Sequence, residues 1–379
     1  MEITPGATAP EAVANGIDTL AAENFEALRE DRIALVTTDG TTMLDGRRSI
    51  DVLAALDGAS LYFIYEPDFS GETNPDGAAD ATTNVPIIAL DSDESPTESQ
   101  LESIDRVLVD LPDCGSRLTP MIALLGHVLE ACAHAGKPVW VLDRPNPLDG
   151  FNVEGPSNDA SIESLFSYQP LPLRHGLTLG ELARLLNRER AIDADLRVVT
   201  MAGWQRAYLF ENTGQRWVEP LPGISSQRAA LLYPALGLFE ETNISTGSGT
   251  SEPLSLFGAP WLDGARLATE LHEANLAGLK AEPREFTPDP KEIVFGGQRC
   301  GGLRFTIDDV QAFSPPALAL ALVKALRRLY PQQWEYSKLE ALLARPDLIE
   351  AIEDQAHELD DLWVPDPEFF EVRAKYLLY

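Results

Sequence analysis

The sequence predicts an α/β fold, a Rossmann-like and mostly parallel sheet domain followed by a second, smaller α+β domain. Two observations carry that prediction. Short apolar, β-branched runs alternate with helical patterns through the first two-thirds of the chain, as in strand–helix–strand units. After about residue 235 the alternation gives way to a Gly/Ser/Thr-rich crossing at 242–251, then to mixed helix and strand. At 379 residues there is enough chain for two cores. The expected division is 1–235, the Rossmann-like domain, and 236–379, the smaller domain.

Strands are expected at 32–37, 60–65, 85–90, 106–111, 138–142 and 197–201, each a compact apolar or aromatic run. Thr119-Pro120 opens a helix, with Thr as N-cap and Pro at the first position. Its apolar face runs Ile122, Leu125, Val128, Leu129 and Cys132, and Gly136 ends it. Thr178 and Glu181 form a capping-box pattern before a helix from 182 to about 190. A strongly apolar-faced helix spans 318–329, stopped by Pro331. The stretch 69–84 is rich in Gly, Asp, Thr, Asn and Pro and reads as a long surface loop, and 91–102 as an acidic, solvated connector. The last residues, Tyr376-Leu377-Leu378-Tyr379, are apolar enough to dock.

The chain has 60 acidic against 29 basic residues, a net charge of −31, and only six of the basic residues are lysine. Nucleic acid is therefore not an expected partner. An acidic, Lys-poor surface suits high intracellular salt, where self-repulsion is screened. No signal-peptide pattern and no membrane-length apolar run is seen, so a cytoplasmic protein with no membrane association is expected. Cys114, Cys132 and Cys300 have no metal-ligand spacing, and no G-x-G-x-x-G, Walker A or G-x-S-x-G pattern stands in the required context. Neither a metal nor a nucleotide cofactor is expected, and a dinucleotide-dependent oxidoreductase has only fold analogy behind it.

Chemistry is expected where the strands end, because parallel strands all deliver their exits to one edge. Four exits are polar: Thr37 to Gly40, Glu66-Pro67-Asp68, Asp110 to Arg117, and Asp143 to Asn146. The last lies in Leu142-Asp-Arg-Pro-Asn-Pro-Leu-Asp-Gly150, where two prolines restrict the backbone around Asp143, Arg144 and Asn146. Glu66 follows the aromatic run Tyr62-Phe63-Ile64-Tyr65. Rings beside it would desolvate the carboxyl and suit it to act as a general acid, although a surface Glu at a strand end satisfies the same spacing. Arg117 has Asp110 and Asp113 as candidate partners, in a functional or a purely structural ion pair. Arg174 and His175 precede a helix start, a place that favours neutral His and attracts anions. His127, His134, His272 and His357 sit in helical patterns and read as structural.

Several segments together resemble the NamZ-type exo-β-N-acetylmuramidases. They are Leu142 to Gly150, Val153-Glu-Gly-Pro156, Pro172-Leu-Arg-His-Gly-Leu-Thr-Leu-Gly-Glu-Leu-Ala183, Thr242-Asn-Ile-Ser245, Gly258-Ala-Pro-Trp261 and the terminal Tyr-Leu-Leu-Tyr. They occur in that family's order from about residue 15 to the end. The resemblance implies a cleft between two domains and release of N-acetylmuramic acid, or a related amino sugar, from the non-reducing ends of peptidoglycan fragments. It also implies Glu66, Asp110 and Asp113 as the catalytic carboxyls, and Arg117, Asp143, Arg144, Asn146, Arg174, His175 and Asn243 as substrate-binding residues.

The chain departs from the family pattern at polar positions. Tyr65-Glu66-Pro67-Asp68 keeps the Glu of a usual Pro-Glu-His-Gly turn but not its His. Pro112 replaces a Gln, and Leu118 to Met121 replace aromatic residues. Pro222-Gly223-Ile224 lacks the usual Asn, and Thr37-Thr38 stands for a usual Thr-Asn. Ser245-Thr-Gly-Ser-Gly-Thr250 carries Thr246 and Ser248 where the family has an acidic and a basic residue. A diverged, non-catalytic member that binds carbohydrate or protein is the alternative expectation.

Overall fold

The computed structural model describes residues 12–68, 78–91, 94–356 and 358–379. Its first domain is built on six parallel strands: β1 (Arg32–Thr37), β2 (Ser60–Asp68), β3 (Ile87–Asp91), β4 (Arg106–Asp110), β5 (Val139–Leu142) and, after an antiparallel ribbon of β6 (Glu154–Ser157) and β7 (Pro172–Arg174), β8 (Leu196–Val199). Their order across the sheet is β3-β2-β1-β4-β5-β8. The chain starts in the middle, winds outward to β3, then returns to the other side of β1. The reversal between β1 and β4 opens a crevice at the carboxyl edge of the sheet.

Alternation along the strands sorts side chains into two cores. Ile33, Leu35, Ile64, Leu108 and Leu142 pack with α1 (Gly16–Ala22) and α2 (Ser49–Ala54). Ala34, Val36, Tyr65, Val107 and Val109 face α4 (Met121–Ala135) and α5 (Leu179–Glu189), with α3 (Glu98–Glu102) beside them. Buried on both faces, these strands are continuously apolar, which is why short runs marked them in the sequence.

The second domain holds an antiparallel sheet of order β10-β11-β9, from β9 (Leu256–Ala259), β10 (Leu279–Phe286) and β11 (Cys300–Ile307). Around it pack α6 (Gln227–Leu236), α7 (Gly264–Glu273), α8 (Pro315–Leu329), α9 (Glu340–Leu343), α10 (Pro346–Glu353) and α11 (Leu359–Leu362), whereas α12 (Pro367–Ala374) lies against the parallel sheet. Leu232, Leu236, Phe257, Leu303, Leu322 and Leu326 share one core. The expected division at residue 235 thus falls at the end of α6, a helix whose apolar residues already belong to this core. The tail then crosses back, and Phe369 and Tyr376 pack in the core of the parallel sheet.

Local signals mostly act where expected. Gly136 ends α4 at φ 64°, Thr178 and Glu181 form the capping box of α5, and Ser314 and Pro315 open α8 three residues before the apolar stripe begins. Two expectations are corrected. The acidic connector contains the Thr97-capped helix α3, and the expected surface loop buries Asp80, which bonds Arg48 and receives the Thr83 amide at 2.7 Å. Residues 69–77 of that loop, and His357, lie outside the described residues. His127 and His134 sit on α4 and His272 on α7, and the three cysteines are buried free thiols. No helix among the described residues is long and apolar enough to cross a membrane.

Candidate active site

At the switch point Thr37 pairs with Asp110 in register, and its hydroxyl donates to the Asp110 carbonyl at 2.8 Å. Beyond this pair the loops after β1, β4 and β5 meet the segment 210–218 around a cleft. Asp113, Arg144, Gln215 and Arg216 contribute its polar lining, and Met43, Phe210 and Trp217 much of its apolar wall. Phe210 and Trp217 stand edge to face with centroids 4.9 Å apart, and the Trp217 indole donates to the Ile224 carbonyl at 2.8 Å. Such a wall, apolar with a few convergent polar groups, is the usual make-up of a small-molecule site.

Asp110 is fully buried and bonded through both oxygens to Arg144, Nε to Oδ1 at 2.6 Å and Nη2 to Oδ2 at 3.0 Å. Arg144 also donates to the Thr42 carbonyl at 3.0 Å, so one guanidinium ties together the exits of β1, β4 and β5. The bidentate pair fixes the plane of Arg144 at the cleft floor. Both oxygens of Asp110 are thereby committed to Arg144.

Asp113 is in the opposite state. Its Oδ1 accepts the Cys114 amide at 2.7 Å, while Oδ2 is buried without a hydrogen-bond partner. Burial pushes its pKa up to about 6. The loop bends at Gly115, whose φ of 73° suits glycine, and a Cβ there would come within 2.4 Å of the Asn146 side chain. A carboxyl so placed keeps its proton to higher pH than an exposed aspartate does, on a residue that lines the cleft.

Glu66 lies on the same edge, half-buried. Val36 pairs with Tyr65, so Glu66 stands level with Thr37, and alternation gives it the sheet face of Ile64, Thr37 and Asp110. Two strand spacings, about 10 Å of backbone, separate it from Asp110. Tyr65 belongs to the opposite core, where its hydroxyl donates to Gln100 at 3.4 Å.

The other residues expected to bind substrate form a buried polar frame behind the cleft. Arg117 pairs with neither Asp110 nor Asp113. Its Nη1 donates to the Phe166 and Leu342 carbonyls at 2.7 and 3.0 Å, because an arginine sealed between the two domains finds main-chain acceptors there. Burial, and then Arg345, lower its pKa to about 9. Asp143 accepts the Gly180 amide at 2.8 Å, the Thr178 hydroxyl at 2.7 Å and the Tyr379 hydroxyl at 2.8 Å. Burial still pushes it up to about 7. Asn146 spans from the Leu148 amide to the Leu177 carbonyl. Arg174 bonds Asp149 and Glu154 at 2.7 Å each. His175 is neutral, held down to about 3 by burial and then by Arg373 and Arg117, with Nδ1 receiving the Leu177 amide at 3.1 Å. Asn243 ties the Gln333 carbonyl to the Glu335 amide, away from the cleft.

Of the ten expected site residues, the structure thus brings Asp110, Asp113 and Arg144 together at the cleft, with Glu66 on the same edge. Sequence reasoning missed Asn15, Met43, Phe210, Gln215, Arg216 and Trp217. The signal in 210–218 is Gln215-Arg216-Trp217 a few residues after Phe210, which opens a short 3-10 turn.

Residues 33–228 match the N-terminal domain, and residues 231–379 the C-terminal domain, of the family described as exo-beta-N-acetylmuramidase NamZ. The chain is 33% identical over 331 residues to the peptidoglycan beta-N-acetylmuramidase NamZ of Bacillus subtilis strain 168, covering 86% of this chain and 80% of that protein. Two crystal structures of DUF1343 family proteins from Bacteroides fragilis superpose with TM-scores of 0.87 and 0.77 at 27% and 26% identity, each covering 97% of this chain and 99% of the other. With both domains matched and the fold shared end to end, the chain belongs to the NamZ exo-β-N-acetylmuramidase family.

Proposed function

We propose that this chain is an exo-acting glycoside hydrolase that releases N-acetylmuramic acid, or a closely related amino sugar, from the non-reducing ends of peptidoglycan fragments. The observation that carries the reading is the Asp113 carboxyl, buried at the switch-point cleft with one unpartnered oxygen and a raised pKa. Glycoside hydrolysis needs a carboxyl that keeps its proton until the leaving oxygen departs, and a second that meets the positive charge developing on the sugar. The environment of Asp113 favours it for the proton. Glu66 is then the second carboxyl, which stabilises the oxocarbenium-like transition state or orients water or the 2-acetamido group. Assigning the acid to Asp113 exchanges the roles expected from sequence, where Glu66 follows an aromatic strand. Arg144, locked by Asp110, offers donors to sugar hydroxyls, and Phe210 with Trp217 supplies the apolar wall.

The test is product analysis. Incubated with a disaccharide–peptide that bears N-acetylmuramic acid at its non-reducing end, the protein releases the free sugar, and Glu66→Gln and Asp113→Asn each lower the rate by 10² or more. Folded protein that releases no sugar from this or any β-glycoside contradicts the reading and favours the diverged, binding-only alternative.

A further inference from the structure

N-acetylmuramic acid differs from N-acetylglucosamine by a lactyl ether that carries a carboxylate. In a chain of net charge −31, recognising that anion requires a cation that no internal carboxylate has already claimed. Arginines line the cleft at two positions, and the charge of Arg144 is already balanced by Asp110. Arg216 is exposed and makes no hydrogen bond or ion pair among the described residues.

Its neighbours are anchored on both sides. Gln215 donates to the Val13 carbonyl at 2.8 Å and to Asn15 Oδ1 at 2.7 Å, and Trp217 is pinned through its indole. The backbone of Arg216 is thereby held while its side chain reaches over the turn that ends at Gly46, with Nη1 3.7 Å from where a Cβ on that glycine would lie. This places the guanidinium on the cleft rim formed by the loop after β1.

We propose that Arg216 selects the substrate of this enzyme, receiving the lactyl carboxylate at the cleft mouth. The inference rests on the muramidase reading above. A planar guanidinium matches a carboxylate through two parallel N–H donors, a fit that a lysine reproduces only as a point charge.

The experiment compares wild type, Arg216→Ala and Arg216→Lys on 4-nitrophenyl β-N-acetylmuraminide and 4-nitrophenyl β-N-acetylglucosaminide, with thermal melting to confirm folding. Arg216→Ala is expected to lower kcat/KM for the muraminide roughly ten-fold or more, mainly through KM, and to change the glucosaminide rate less than about two-fold. Arg216→Lys should recover part of the loss. Equal losses on both sugars, no loss on either, or a wild type that prefers the glucosaminide overturns the assignment. If wild type cleaves neither, the hydrolase reading fails and calorimetric titration with the free sugars decides this one. A preference for N-acetylmuramic acid that disappears in Arg216→Ala supports it, and no preference overturns it.

Discussion

Asp113 and Asp143 are both buried carboxyls with raised pKa values, yet their surroundings give them different work. Asp143 collects donors from α5, from its own neighbour Arg144 and from Tyr379, and its oxygens have nothing left to offer a ligand. Its folded pKa of about 7 lies above the unfolded value, so its contribution to stability is fully present below about pH 4 and is lost as pH rises through 7. The stability advantage of wild type over Asp143→Asn, read by urea unfolding, should therefore be largest near pH 4 and narrow toward pH 7. Tyr379→Phe should cost about 1–3 kcal/mol in the same measurement, because the Met201 amide and Asp143 each lose the same hydroxyl. Arg117, Asp143, Asn146, Arg174 and His175 looked like ligands in the sequence because they crowd strand exits. A polar residue at a buried exit must be satisfied, and main-chain acceptors 31 residues from Asn146 and 225 from Arg117 leave no local trace.

At the scale of elements, the devices that were legible are the ones that act within a few residues. The Thr178–Glu181 capping box, the Gly136 stop and the apolar strands all follow from local spacing. The Thr178 hydroxyl also donates to Asp143, which sequence could not reveal, and Gly180 is required there because a Cβ would lie 2.8 Å from the Asp143 carboxyl carbon. Thr178→Ala should accordingly cost about 2 kcal/mol, at the upper end for a lost cap, whereas Thr97→Ala on the exposed helix α3 should cost about 0.5–1 kcal/mol. Denaturant midpoints of the two variants test the difference. The segment 210–218 was illegible for the complementary reason. It has no periodicity, and its residues acquire meaning only when the loops after β1 and β4 fold against them.

For the whole molecule, the β3-β2-β1-β4-β5-β8 order puts the cleft at the switch point, and the tail returning to Asp143 joins the second domain's last helix to the first domain's strand exits. The parallel sheet was readable from strand alternation; the packing of α6 into the C-terminal core was not, because helix patterns do not name their partners. A net charge of −31 repels itself at low ionic strength, so the melting temperature should rise as KCl is added. A melting temperature flat or falling in KCl would show that the acidic surface needs no screening.

The most direct test of the account is the pH dependence of kcat/KM on an N-acetylmuraminide for wild type and Asp113→Asn. If Asp113 holds the catalytic proton, the wild-type rate falls as pH rises through about 6, and Asp113→Asn loses 10² or more together with that limb. A variant that keeps both the rate and the limb contradicts it.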